Sequence, residues 1–205
     1  MPLFPGDPPV TFAPMGGYAA QGYRSHLASL PAHSGTHVDA PAHVLPGAAL
    51  LSDLPLDRFA GAAALADLRG RPGLAITEAD IAPHLPRLRA GAFRFVLLRT
   101  GDEERFHQAD YYTAGAHLTP GAAALLAGLP KLSGVGLDAA SADPPEAGDL
   151  PAHRVLLGAG LVIVENLRGL AQLPVDGFDF FCLPVLPEDG SPVRAAARRH
   201  SGGGR

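Results

Sequence analysis

Apolar runs of four to eight residues recur along the chain between Gly, Pro and polar clusters, with helix-capping signals among them. Tyr23 to Leu30 reads as an early strand leading into a loop rich in His, Gly and Pro. Ala62 to Leu68, bounded by Gly61 and Gly70, reads as a buried strand, and Phe95 to Leu98 as a second compact one. Between them, Thr77 sets a capping hydroxyl ahead of Glu78 and Asp80, which predicts a helix running towards Leu88. Pro83 and Pro86 limit its regularity. Thr119-Pro120 pairs an N-cap with a proline at the first helical position, and Gly128 ends the helix that follows. Gly134 to Leu137, Leu161 to Val164 and Phe178 to Val185 read as further strands, with a short helix at His153 to Leu157. Strands alternate with helices, which predicts an α/β fold.

No internal repeat or long linker divides the 205 residues. One domain over residues 1–197 is expected, followed by a flexible Gly-rich tail at 198–205. Hydrophobic residues at 47% against 18% charged residues exclude a disordered, solvating chain. A net charge of −4 leaves no broad cationic surface, so no nucleic-acid partner is expected. No apolar run approaches the ~20 residues of a membrane span. The first residues also lack the basic and apolar regions of a secretory signal, so a cytoplasmic protein without a membrane partner is expected. The single cysteine, Cys182, rules out an intramolecular disulfide and a Cys-based zinc cage; flanked by Phe181 and Leu183, it reads as a small buried hydrophobe.

The chemistry concentrates in eleven residues, His33-Ser34-Gly35-Thr36-His37-Val38-Asp39-Ala40-Pro41-Ala42-His43. Gly35 and Pro41 argue against a helix there, and the residue before proline avoids the α region. In an extended segment His37 and Asp39, two apart, project to one side, and the loop can bring His33 round to meet them. A lone loop histidine is usually a solvated or hydrogen-bonded side chain. Three histidines and an aspartate interleaved with Gly and Pro point instead to a metal site, and two imidazoles with a carboxylate suit zinc or manganese better than calcium. Three protein ligands with an open position is the pattern of a catalytic metal. Farther along, Glu165 closes an apolar strand, where a carboxylate is costly unless paired or bound to metal. Spacing alone leaves a salt bridge and a metal role for Glu165 equally open. His26 and His117 read as structural, and His84, His107 and His200 as surface residues.

The pattern His-x-Gly-Thr-His-x-Asp-x-Pro-x-His resembles the signature of the cyclase-type metal-dependent hydrolases, which include bacterial kynurenine formamidases. Phe4-Pro5-Gly6-Asp7, Leu98-Arg99-Thr100, Gly136-Leu137-Asp138 with Asp143-Pro144, and Gly190-Ser191-Pro192-Val193-Arg194 also look like family segments. The resemblance implies a swivelling β/β/α domain, a mixed sheet with flanking helices, and a homodimer or higher homo-oligomer. It implies one metal held by His33, His37 and Asp39, and a second held by Asp39, His153 and Glu165, with Zn2+ or Mn2+ as the ion. His43 would be the catalytic proton donor and acceptor rather than a ligand, a role that suits a side chain titrating near neutrality. Phe4 stands where kynurenine formamidases typically carry a tryptophan facing the substrate; phenylalanine can still stack but loses the indole donor. The resemblance also implies a strand ahead of Phe4, so a start downstream of that strand is expected, with an exposed sheet edge or altered dimer. Glu165-Asn166-Leu167 looks more like the broader family than the strict formamidases. The expected activity is hydrolysis of a small-molecule amide, N-formylkynurenine to kynurenine and formate. Ring opening of a cyclic amide such as isatin, or other cyclase-family chemistry, is the alternative within enzymes, and a non-catalytic metal-binding protein the alternative outside them.

Overall fold

The computed structural model describes residues 3–200. The chain runs through β1 (Thr11–Gly16), α1 (Tyr18–Gln21), β2 (Ser25–Ser29), β3 (His37–Asp39), β4 (Ala60–Asp67) and β5 (Ala75–Ile76). It continues through α2 (Glu78–Ile81), α3 (Leu85–Ala90), β6 (Phe95–Arg99), β7 (His117–Leu118), α4 (Pro120–Ala127) and β8 (Gly134–Leu137). The last elements are α5 (Pro151–Gly158), β9 (Val162–Glu165), β10 (Phe178–Phe181), β11 (Gly190–Pro192) and β12 (Ala196–Arg199).

Eight strands form one mixed sheet in the order β11-β3-β9-β8-β6-β4-β10-β12. Its middle, β9-β8-β6-β4, is parallel, and the strands added on either side are antiparallel. Parallel neighbours need crossovers, and α2 with α3, α4 and α5 supply them. The α/β expectation with a mixed sheet and flanking helices therefore holds.

The central strands read as continuous apolar runs because both faces are covered. Ala64, Ala66, Val96, Leu98, Val135, Leu137 and Ile163 pack in one core with Ile81, Leu85, Ala122, Leu126 and Leu156 of the helices. Ala63, Leu65, Phe95, Leu97, Val162 and Val164 pack in the other with Phe59, Leu167, Phe178 and Phe180. A Cβ on Gly136 would lie 2.7 Å from both Leu97 and Leu167, so a side chain there would collide with the second core.

Several boundaries differ from expectation for identifiable reasons. The helix expected from Glu78 to Leu88 is broken into α2, a 3-10 turn and α3, because Pro83 and Pro86 each open a new segment. The capping box between Thr77 and Asp80 does form, as does the Thr119 cap, whose side chain accepts from the Ala122 N–H. The strand expected from Phe178 to Val185 stops at Phe181, where Cys182 N–H turns to the Phe59 carbonyl ahead of Pro184. Arg198 and Arg199, expected in the tail, pair with Asp179 and Phe178 in β12; residues 201–205 lie outside the described residues. Cys182 is buried and unpaired. No helix among the described residues is long and apolar enough to cross a membrane.

Candidate metal centre

The site begins with β3. Ala40 is extended ahead of Pro41, and β3 is seated between β11 and β9. Val38 turns into the core, so His37 and Asp39 share the opposite face. The register sets His37 directly across from Glu165 of β9, and α5 presents His153 to the same point. The loop before β3, with Gly35 at φ 60, returns His33 to Asp39.

The donor atoms converge. His33 Nδ1 lies 2.7 Å from Asp39 Oδ1, and His37 Nε2 lies 3.3 Å from both Asp39 Oδ1 and Glu165 Oε2. His153 Nε2 is 3.2 Å from Glu165 Oε1 and 3.8 Å from Asp39 Oδ2. Three triads result among the described residues, His33–His37–Asp39, Asp39–His153–Glu165 and the more exposed His33–His43–Asp189, each with one atom per residue within 4.8 Å of the others. Asp39 belongs to the two buried ones, and Glu165 touches a histidine of each of these.

The rings are held from behind. His37 Nδ1–H donates to the Gly35 carbonyl at 2.8 Å, and His153 Nδ1–H to Asp143 Oδ2 at 2.7 Å. Asp143 also accepts the Ala152 and His153 backbone N–H groups, so it caps α5 as well as fixing the His153 ring. With Nδ1 committed, each Nε2 faces the carboxylates, the arrangement usual for metal-ligating histidines.

Electrostatics follow from this crowding. Burial pushes the His37 and His153 imidazolium pKa values down, but Asp39 and Glu165 around His37, and Asp143 behind His153 with Glu165 and Asp39 in front of it, outweigh burial and raise them to about 9 and about 10. Burial likewise pushes the Glu165 carboxyl up, and its bonds to His153 and His37 reverse this and hold it well below the usual range. The His33 imidazolium is raised against its own burial by Asp39 and Asp189. Asp39 Oδ2 is buried without a hydrogen-bond partner. An orphaned carboxylate oxygen among imidazole nitrogens is what a divalent cation with nitrogen and oxygen ligands would satisfy.

The Cyclase family model, described as "Putative cyclase", matches residues 1–144. The chain belongs to the cyclase family. It is 37% identical over 202 residues to the kynurenine formamidase of Paracidovorax citrulli (strain AAC00-1), covering 96% of this chain and 90% of that one. It is 35% identical over 176 residues to that of Salinibacter ruber (strain DSM 13855 / M31), covering 82% and 77%. Isatin hydrolase A from Labrenzia aggregata, bound to benzyl benzoate, shares the fold at a TM-score of 0.79 and 24% identity, over 98% of this chain and 88% of that one. A Bacillus stearothermophilus protein described as a predicted metal-dependent hydrolase superposes with a TM-score of 0.70 at 28% identity, over 95% and 93%.

In this cyclase-family chain a cavity of about 250 Å³ opens onto the cluster, lined by His33, His37, His43, His153 and Glu165 at its floor and by Phe4, Tyr112 and Leu150 on its walls. Phe4 meets Tyr112 edge-on, with ring centroids 5.6 Å apart. All seven residues singled out in the sequence thus border one space or, like Asp39, lie directly beneath it. His26 is exposed in β2, His107 is exposed, and His200 pairs with Asp179 at 3.2 Å, so none enters the site. His84 and His117 are half-buried away from it.

Three acidic residues escaped the sequence reading. Asp143 was visible as part of a family segment, with nothing to connect it to His153. Asp7 lines the cavity, and Asp189 sets its carboxylate against His33 and His43. Asp189 precedes the Gly190-Ser191-Pro192 segment, the one signal that could have found it.

Proposed function

We propose that this protein hydrolyses a C–N amide bond at a metal centre held by His33, His37, Asp39, His153 and Glu165, acting as an arylformamidase on N-formylkynurenine. The observation that carries the reading is the pair of triads sharing Asp39 beneath an aromatic-walled cavity. Kynurenine formamidase relatives at 37% and 35% identity supply the reaction class. Nitrogen and carboxylate ligands accept zinc or manganese. When bound, such an ion supplies Lewis acidity, activating water and polarising a carbonyl.

The chain's own residues do the rest. Phe4 and Tyr112 offer aromatic surfaces for the aryl ring. Asp7 adds a carboxylate on the cavity wall, complementary to the ammonium of an amino-acid substrate and without a counterpart in isatin. Expulsion of an amine needs a proton, and His43, on the cavity floor outside the two triads that share Asp39, delivers it from its ring nitrogen. Removing His43 therefore stops proton delivery while the other residues keep the ion. A cytoplasmic homodimer or larger assembly completes the proposal.

The test is substrate choice. Metal-loaded protein is offered N-formylkynurenine and isatin separately. Kynurenine release at a kcat/KM at least tenfold above isatin opening supports the reading. Faster isatin opening moves the assignment to cyclic amides, and no turnover of any amide refutes hydrolysis.

A further inference from the structure

Asp189 lies in the loop between β10 and β11, 146 residues from His43 along the chain. That loop is fastened to the segment carrying His43. The Asp189 carbonyl accepts from Ala40 N–H at 2.8 Å, and the Glu188 and Pro187 carbonyls accept from Leu51 and Ser52 at 2.9 and 3.0 Å. Its side chain reaches into the site, where Oδ2 lies 3.1 Å from His43 Nδ1 and 3.2 Å from His33 Nε2. The His33 and His43 rings lie tilted against each other, with centroids 4.1 Å apart and planes 34° apart. Such an approach requires glycine next in the chain, since a Cβ on Gly190 would sit 2.4 Å from the His33 ring.

An ionised carboxylate only accepts hydrogen bonds, so the His43 nitrogen facing it must carry the proton. The tautomer of a histidine is set by the bond its other nitrogen makes. We propose that Asp189 is a positioning residue that holds His43 with its proton on Nδ1 and its Nε2 lone pair turned to the reacting group. In hydrolysis Nε2 then first accepts a proton from the attacking water and returns it to the departing amine, while Nδ1–H stays with Asp189. The bond also fixes the plane of the ring, which its half-buried place on the cavity floor would otherwise leave free to turn. This role in turnover rests on the function proposed above; the tautomer itself does not.

Two measurements test it. Long-range 1H–15N NMR of the histidine rings in metal-free protein, at a pH where His43 is neutral, should show His43 protonated on Nδ1. Asp189→Ala should lose that tautomer, and Asp189→Asn, whose amide oxygen still accepts, should largely restore it. In the metal-loaded enzyme, Asp189→Ala should lower kcat about 10- to 100-fold, with KM within about twofold of wild type and metal content unchanged. The same change in a His43→Gln background should cost nothing further. An unchanged His43 tautomer in Asp189→Ala overturns the proposal. So does a loss that persists in the His43→Gln background or tracks loss of metal, because Asp189 would then act through His33. If the unaltered enzyme turns over no amide, the proposed function fails, and the substrate-free NMR result still decides the role of Asp189.

Discussion

Metal binding to this site must expel protons. His37 and His153 face Asp39 and Glu165 in the metal-free chain, and their imidazolium pKa values are raised to about 9 and about 10. Both are therefore protonated at pH 7, whereas a ligating imidazole is neutral. Deprotonating them at that pH spans together about five pH units, or about 7 kcal/mol at 1.36 kcal/mol per unit. The apparent affinity for zinc should thus rise by roughly two decades per pH unit between about pH 6.5 and 9. Calorimetric titration of metal-free protein at pH 7, in buffers of different ionisation enthalpy, reads the count directly. Two or more protons should be released per chain once the two triads sharing Asp39 fill. A release below one proton, with affinity flat from pH 6.5 to 8.5, would refute the assignment of these rings as ligands.

Stability without metal should depend on pH in the same sense. A histidine whose folded pKa is raised stabilises fully below its unfolded value of about 6.5 and loses that contribution as pH rises through the folded value. The melting temperature of metal-free protein should therefore fall between about pH 7 and 10, and a flat profile would contradict the paired imidazoles. Asp143→Ala removes the acceptor of three buried donors at 2.7 to 2.9 Å and should cost about 3 kcal/mol in denaturant unfolding. It should also weaken metal binding about 10- to 100-fold; wild-type affinity would show that the His153 ring needs no anchor. Gly190→Ala drives a Cβ into His33 and should reduce metal content while leaving the far-UV circular dichroism unchanged. His43→Gln should keep its metal and lose roughly 10²- to 10⁴-fold in kcat; loss of metal instead would make His43 a ligand.

How far the sequence reveals this site depends on how locally each residue's role is determined. His37 and Asp39 are legible because two-residue spacing in an extended segment is enough to put them on one face. His33 is nearly so, since Gly35 permits the return of the loop. Glu165 is ambiguous alone, because its partners come from sheet register and from α5 rather than from neighbours in the chain. Asp143 and Asp189 act across 10 and 146 residues, through contacts no local pattern encodes. The fold divides in the same way. The buried parallel strands announce themselves as apolar runs, whereas β12, the exposed sequence Ala-Ala-Arg-Arg, has no apolar signal and forms because β10 offers it an edge. The early strand read over Tyr23 to Leu30 forms as β2, whereas its hairpin partner β1 escaped partly because Pro14 and exposed Phe12 and Met15 break the expected alternation.

The central claim is that the Asp39-centred cluster is a metal centre that drives amide hydrolysis. Its most direct test is to titrate metal-free protein with zinc or manganese while following kynurenine release from N-formylkynurenine, with Asp39→Ala treated identically. Turnover should rise with added metal, saturate at one or two ions per chain, and be absent in a folded Asp39→Ala protein that binds neither ion. Turnover that ignores added metal, or survives in Asp39→Ala, would contradict it.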